Sequence, residues 1–355
     1  MKKKSFSPIN LIIKDAKKGK MFILVDDKSR ENEGDLVIPA SKCNSKKINF
    51  MATYGRGLIC LSMTNNQVKK LGLPLMSPVN KSRMQTAFTV SIEARKGIST
   101  GISAFDRAKT IKTAINKNAN KKSIVSPGHV FPLIARSGGV LERAGHTEAS
   151  VDISKLAGLN PSSVICEVMN EDGRMARFND LKKFSYKHNI NIASIEDLIS
   201  YRLKNEKLIY NTINKSFKFK NSILELKEYV NKLDKTKNYV IKKGKINSKK
   251  PIRVRVVSII IKNKINLNAK IIKNSLKYLD NFKEFVLVVI RDNKSKEQIL
   301  SEKMRNNNII RYYGIGAQII KDLNIKKMIL VTRSKKRVIG LTGYGINLYK
   351  QEIIK

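Results

Sequence analysis

Arg30, Glu31 and Asp35 fall within the six-residue stretch RENEGD, which follows the apolar run MFILVDD after Lys28 and Ser29. Two further places in the chain could meet this cluster. One is RAGHT, Arg143 to Thr147; the other is Glu167, an acid among apolar neighbours in SVICEVMN. A carboxylate and an imidazole, Glu31 and His146, can hold a hard divalent cation while leaving coordination positions to water and substrate oxygens. Arg143, Ala144 and the backbone amides of Gly145, His146 and Thr147 stand at a helix start. That combines a bidentate guanidinium, oriented donors and a positive helix end, which suits a phosphate. A desolvated carboxylate such as Glu167 suits proton transfer near neutral pH. Together the pieces fit a small phosphorylated sugar whose carbonyl and hydroxyl oxygens chelate a cation and enolise. Singly, each has a plainer explanation: a polar turn, a core histidine holding a helix cap, and half of a buried ion pair.

The elements that must position these residues are short apolar runs read as strands, with helices between them. MFILVDD (21–27), GLICLS (57–62) and SVICEVMN (163–170) are compact buried types, and FTVSIEA (88–94) alternates, with Thr89, Ser91 and Glu93 on its polar face. The spacing predicts a helix over TEASVDISKLAG (147–158), capped by Thr147, and another opening at Ser194 with Asp197 in a capping pattern. The fold class is therefore α/β (α+β): a mixed-sheet domain with flanking helices over residues 1–205, then a smaller α/β domain over 251–355. The second is marked by RVRVVSIII, FVLVVIRD and KKMILVT as strands and by GIGAQIIKDL as a helix. Residues 206–250, dense in Lys and Asn, read as a linker or as the eroded start of that second domain.

Composition narrows the function classes. The 355 residues carry a net charge of +43 with no Trp and only eight Pro, but the lysines are scattered and travel with Ile and Asn. That is the mark of a coding bias, so a specific nucleic-acid role is not expected. Cys43, Cys60 and Cys166 include no CxxC pair, which argues for a reducing compartment and against a structural zinc. The opening MKKKSFSPINLIIKDAKKGK has only LII as its apolar core, so a cleavable signal is not expected. No window approaches the ~20 apolar residues of a membrane helix. The expectation is a cytoplasmic protein without a membrane partner.

Residues 1 to about 205 resemble the 3,4-dihydroxy-2-butanone 4-phosphate synthases nearly end to end. The resemblance is carried by DDKSRENEGDLVIPA, GRGLICLS, FTVSIEA, GISTGISAFDRAKTI, SPGHVFPL, GGVLERAGHTEASVDISKLAG and CEVMNEDGRMAR. It implies the riboflavin-pathway conversion of D-ribulose 5-phosphate to L-3,4-dihydroxy-2-butanone 4-phosphate and formate, with Mg²⁺ or Mn²⁺, two per site. By matching position, Glu31 and His146 would be metal ligands. Arg30, Glu31, Asp35, Arg143, Ala144, Gly145, His146 and Thr147 would bind substrate. Glu167 would contact substrate and move protons. His129 would be the other essential group, reaching the site from the partner subunit of a homodimer. Cys60, Thr100, Ser103 and Asp106 would line the pocket. Gly34 is expected to let the backbone approach the substrate closely, and His188 to be structural.

Residues from about 250 resemble GTP cyclohydrolase II, through RVRVVS, RYYGIGAQIIKDLNIKKMILVT and KKRVIGLTGYGI. That family holds zinc on three cysteines, and this chain has none after Cys166. Ile259 and Ile260 stand where the family continues with Glu and Cys, and DNKSKE (292–297) where it has a glutamate-glycine-arginine motif. Ile309 replaces its acidic proton acceptor, and Arg333, Ser334 and Lys335 follow the retained Thr332 in place of Asn-Asn-Pro. The resemblance thus implies a degenerate domain with no zinc, kept as a structural or regulatory partner or as a nucleotide-binding module using Arg311, Thr332 and Arg337. Two rival readings are a bifunctional enzyme, opposed by the missing cysteines, and a basic nucleic-acid binder, opposed by the scatter of the lysines.

Overall fold

The computed structural model describes residues 6–354 except 28–29, 78, 81–83, 85, 234, 247–249, 261–264, 293–307 and 335–340; the side chains of 260, 292, 308–313 and 342–343 are also outside it. Most of DNKSKE, Lys335 and Arg337, and the side chains of Ile260, Ile309 and Arg311, therefore lie outside the described residues. The chain forms two compact units, Met1–Tyr201 and Arg202–Lys355.

The first unit is built on a seven-stranded mixed sheet. Its strands are β1 (Phe22–Val25), β2 (Gly34–Pro39), β3 (Cys60–Thr64), β4 (Ile92–Ala94), β5 (Ile124–Ala135), β6 (Ser162–Glu167) and β7 (Asn191–Ser194). Their order is β4-β5-β3-β6-β2-β1-β7. β1 and β2 are antiparallel neighbours, as are β2 and β6, and β6 and β3. β1 with β7, and β3 with β5, run parallel. β1 and β2 are buried along their whole length, as expected of apolar runs in the middle of a sheet covered on both faces. The helices are α1 (Ile9–Lys17), α2 (Ser45–Phe50), α3 (Asn65–Leu71), α4 (Ala104–Ala114), α5 (His146–Leu156), α6 (Phe178–Lys187) and α7 (Ile195–Asn205).

α5 is the element that matters most for function, and nearly all of it is buried. Its serines let it lie close on β6: Ser154 Oγ donates to Ser162 O at 3.0 Å, and Ser163 Oγ donates to Ser150 O at 2.8 Å. The helix begins one residue earlier than the sequence predicts, with extended Gly145 as its cap in place of Thr147. α7 opens as expected, with Ser194 Oγ accepting from Asp197 N at 3.0 Å. FTVSIEA departs from its predicted strand: only Ile92–Ala94 is continuous, and Phe88 and Thr89 make isolated bridges. Thr89 is fully buried, because its hydroxyl is bonded to Pro132 O at 3.2 Å and not turned to solvent.

The second unit has its own seven-stranded sheet, β14-β13-β11-β12-β10-β9-β8. Here β8 is Ile209–Phe219, β9 Ser222–Asn231, β10 Lys237–Lys243, β11 Ile252–Ile260, β12 Phe285–Asp292, β13 Lys327–Thr332 and β14 Asn347–Ile353. The Lys/Asn-rich stretch after residue 205 thus contributes three antiparallel strands to this sheet. β11, β12, β13 and β14 are parallel neighbours. α8 (Lys270–Leu279) packs with Leu287 and Val289 on one face; α9 (Asn308–Asp322) packs with Val286 and Val288 on the other. Among the described residues, no helix is long and apolar enough to cross a membrane.

Candidate active site

Four central strand ends and one helix start converge. β1 runs out at Val25 into Asp26; β2 begins at Gly34 and Asp35; β6 ends at Glu167; β3 begins at Cys60; and α5 presents His146 in its first turn. Antiparallel register sets Asp35 directly opposite Glu167. RENEGD is therefore the reversal between two buried strands, turning at Asn32, which takes a left-handed φ of 55°.

Asp26, which the sequence reading left out, organises that reversal. Its Oδ1 accepts from Glu33 N at 2.9 Å, and its Oδ2 accepts from Glu31 N at 3.2 Å and from Arg30 Nη1 at 2.7 Å. Arg30 also pairs with Glu31. Arg177 clamps the turn from outside, donating to Glu31 O at 2.8 Å and Asn32 O at 2.7 Å. The sequence signal for Asp26 was the DD doublet that closes the β1 run; Arg177, some 146 positions from Glu31, had none.

His146 Nδ1 lies 3.7 Å from Glu31, and Nε2 lies 3.9 Å from Asp35. Nε2 is buried and has no hydrogen-bond partner among the described residues. Ligand atoms of Asp26, Glu31 and His146 fall within 4.8 Å of one another. Two carboxylates and an imidazole with an orphaned nitrogen form a donor set that fits a hard divalent cation better than a thiophilic one. Burial opposes the charge of Glu31, but the His146 hydrogen bond and Arg30 outweigh it and hold the carboxyl down at about 2. Burial pushes the Asp35 carboxyl up to about 7, against the pull of His146 and with the help of Glu167 and Glu31. Burial likewise works against a charged His146, yet Asp35 and Glu31 win and raise it to about 9. As an imidazolium His146 would be the cation of an acidic nest; a bound divalent cation would take that place and leave the ring neutral as a ligand.

Glu167 is half-buried, and its Oε2 accepts from Leu58 N at 2.8 Å. Gly57 makes this placement feasible: a Cβ there would lie 2.5 Å from Glu167 O and 2.6 Å from Oε2. Cys60 is buried beside these acids, and burial followed by Glu167 and Asp35 pushes its thiol well up, so it lines the site as an uncharged group.

Several expectations need correction. Gly34 does not open the backbone to a ligand; a Cβ there would lie 2.5 Å from Leu181 Cδ1, so core packing under the turn selects glycine. The amide of Gly145 is not free, because it donates to Arg143 O at 2.9 Å. Arg143 is spent inside the unit, on buried Glu148 at 2.6 Å, Met84 O at 3.0 Å and Thr86 Oγ1 at 2.9 Å. Gly145 leaves room for that guanidinium, whose Nη1 would be 2.4 Å from a Cβ. Half-buried Ala144 precedes it, and buried Thr147 follows His146 on α5. Thr100 is exposed; Ser103 caps α4; and Asp106 ties the preceding loop, accepting from Ser99 Oγ at 2.8 Å and Gly101 N at 3.1 Å. His129 does not join the acidic cluster: it sits on β5 and pairs with Glu93 of β4. His188 caps α6 and packs among Phe50, Tyr54 and Phe184.

The 3,4-dihydroxy-2-butanone 4-phosphate synthase family model matches residues 10–201, and the GTP cyclohydrolase II model matches residues 211–352. The riboflavin biosynthesis protein RibBA of Aquifex aeolicus (strain VF5) is 42% identical over 99% of this chain and 93% of its own. The crystal structure of RibBX, a two-domain 3,4-dihydroxy-2-butanone 4-phosphate synthase from A. baumannii, superposes with a TM-score of 0.82 at 38% identity, covering 98% of this chain and 99% of that one. A 3,4-dihydroxy-2-butanone 4-phosphate synthase in complex with two magnesium ions covers 56% of this chain and 98% of its own, with a TM-score of 0.54 at 37% identity.

Proposed function

The chain belongs to the 3,4-dihydroxy-2-butanone 4-phosphate synthase family, and from that premise we propose a single-activity enzyme that converts D-ribulose 5-phosphate to L-3,4-dihydroxy-2-butanone 4-phosphate and formate. The observation that carries the assignment to this site is the buried His146, whose Nδ1 faces Glu31 and whose orphaned Nε2 faces Asp35, with Asp26 in the same group of candidate ligands. Glu31 and His146, with Asp26 beside them, would hold a divalent cation, Mg²⁺ or Mn²⁺; the two magnesium ions of the related synthase support this. When bound, the cation supplies Lewis-acid polarisation of the substrate's carbonyl and hydroxyl oxygens.

The residues of the chain do the rest. Arg30 and the first turn of α5 orient the phosphorylated sugar. Glu167 is fixed through Oε2 by Leu58 N, which leaves its other oxygen to take or return a proton beside the reacting carbons. Asp35, pushed up to about 7, can hold a proton at neutral pH and donate a hydrogen bond where the ionised Glu31 cannot. His129 moves a second proton, in the site of a partner subunit of a homodimer. Its exposed side chain and its distance in the sheet from the acidic cluster, with β5 separated from β6 by β3, support that assignment.

The second unit has no cyclohydrolase activity in this reading. No cysteine follows Cys166, and Lys, Asn and Ile cannot replace the soft ligands of a tetrahedral zinc. Restoring cysteines alone would not revive it, because Ile309 stands where an acid is needed. Metal analysis of the purified full-length chain tests this. The expected result is no stoichiometric zinc; one tightly held zinc per chain together with GTP turnover contradicts it.

A further inference from the structure

His129 owes its position to a bulge. β4 and β5 pair antiparallel, with Ile92 opposite Val130 but Glu93 opposite Val125, so the residues of SPGH are extruded across a single step of the partner strand. Bulges of this kind re-aim a side chain. Ser91 holds this one: Ser126 Oγ donates to Ser91 O at 2.7 Å, and Gly128 N donates to Ser91 Oγ at 3.1 Å. Gly128 is required, since a Cβ there would lie 2.3 Å from the carbonyl of Ile92.

The extruded imidazole is tied at Nδ1 to the carboxylate of Glu93. The two partners are unequal. The Glu93 side chain is 15% exposed and that of His129 is 44% exposed, so the acid is seated and the imidazole is presented. The seat is built by Gly101, whose φ of +89° and missing side chain leave space that a Cβ would close to 1.7 Å from Glu93 Oε1. Asp106 fixes that glycine by accepting from its amide. An ordinary surface ion pair contributes little and needs no such construction.

We infer that Glu93 is a positioning residue that holds His129 with Nδ1–H bound and Nε2 free to accept a proton. The inference rests on the proposed proton-transfer role of His129. In that step the proton passes from substrate to Nε2 while its bonding pair stays on the substrate. Glu93 remains ionised and stabilises the imidazolium that forms. The segment around Thr100, Ser103 and Asp106 then acts on the reaction through Glu93.

Glu93→Gln and His129→Ala in the full-length chain test this, with formate release from D-ribulose 5-phosphate and imidazole ¹⁵N spectra as readouts. Only three histidines are present, so His129 is assigned by its loss in His129→Ala. The expected spectrum of wild-type protein shows neutral His129 as the Nδ1–H tautomer, and Glu93→Gln mixes the tautomers. Its kcat falls on the order of 10²-fold with KM nearly unchanged, and Glu93→Asp recovers part of the loss. An inactive His129→Ala beside a fully active Glu93→Gln overturns the positioning role and leaves that of His129 intact. An active His129→Ala removes the underlying role and this one with it. If Glu93→Gln fails to fold, the wild-type spectrum decides alone: a bare Nδ1 on neutral His129 refutes the inference.

Discussion

Gly57→Ala should damage catalysis although residue 57 touches no substrate in this account. The added Cβ would lie 2.5 Å from Glu167 O, 2.7 Å from Glu167 N and 2.6 Å from Glu167 Oε2. Rotating the carboxylate could relieve only the last contact, and would sacrifice the 2.8 Å bond from Leu58 N. The backbone contacts remain, so the end of β6 must retreat by roughly 0.9 Å to reach ordinary van der Waals separation. Overpacking of this kind costs about 1–3 kcal/mol of stability, several degrees of melting temperature for a unit of this size. A displacement near 1 Å at a proton-transfer group costs on the order of 10²-fold in kcat. Steady-state formate release and thermal melting of the same preparation measure both. Glu167→Gln should itself lose at least ~10²-fold in kcat with little change in KM. The double variant should fall no further than the worse single one, because both act through one carboxylate. Gly316→Ala, within α9, is the control: the nearest neighbour of its Cβ would be Val256 Cγ1 at 3.7 Å, so it should be neutral or slightly stabilising. Wild-type kcat and melting in Gly57→Ala would refute the claim that this glycine confines Glu167.

Three further outcomes follow from the site. Glu31→Ala and His146→Ala should each abolish formate release while the protein stays folded, and EDTA should reproduce both, because few ligands share the cation; activity near wild type in either variant removes the metal assignment. In EDTA, stability should decline as pH rises from about 6.5 to about 9: the folded-state value of His146 is raised to about 9 above its ordinary 6.5, so its contribution is complete below the lower value and lost through the upper one. His146→Gln should flatten that decline in thermal melts, and an unchanged slope would show that His146 is not held charged. Inactive His129→Ala and Glu31→Ala proteins should regain activity after subunit exchange, whereas no recovery in verified mixed dimers would place both groups in one chain's site.

The parts of the fold that were legible in the sequence are those whose signals are local. β1, β6 and β11 to β13 announce themselves as apolar runs because strands in the middle of a covered sheet bury both faces. The capping pattern at Ser194 likewise needs only four consecutive residues. RENEGD, RAGHT and Glu167 were visible as unusual chemistry beside such runs, and the structure brings Glu31, Asp35, His146 and Glu167 together. What escaped depends on contacts between distant residues. Gly57 matters only because Glu167 packs on it, Arg177 only because α6 brings it to the turn, and Glu93 only because a bulge sets His129 against it. Gly34 was assigned to substrate approach for the same reason: nothing nearby in sequence reveals Leu181 beneath it. The strand β8 was obscure because it is an edge strand exposed along most of its length. Lysine and asparagine there satisfy solvent on both faces and leave no period to read.

The most direct measurement of the central claim is formate release by the purified, magnesium-supplied full-length chain from D-ribulose 5-phosphate and, separately, from GTP. This account predicts turnover of the sugar phosphate, its loss on chelation, and no formate from GTP. Formate from GTP, or none from ribulose 5-phosphate, would contradict it.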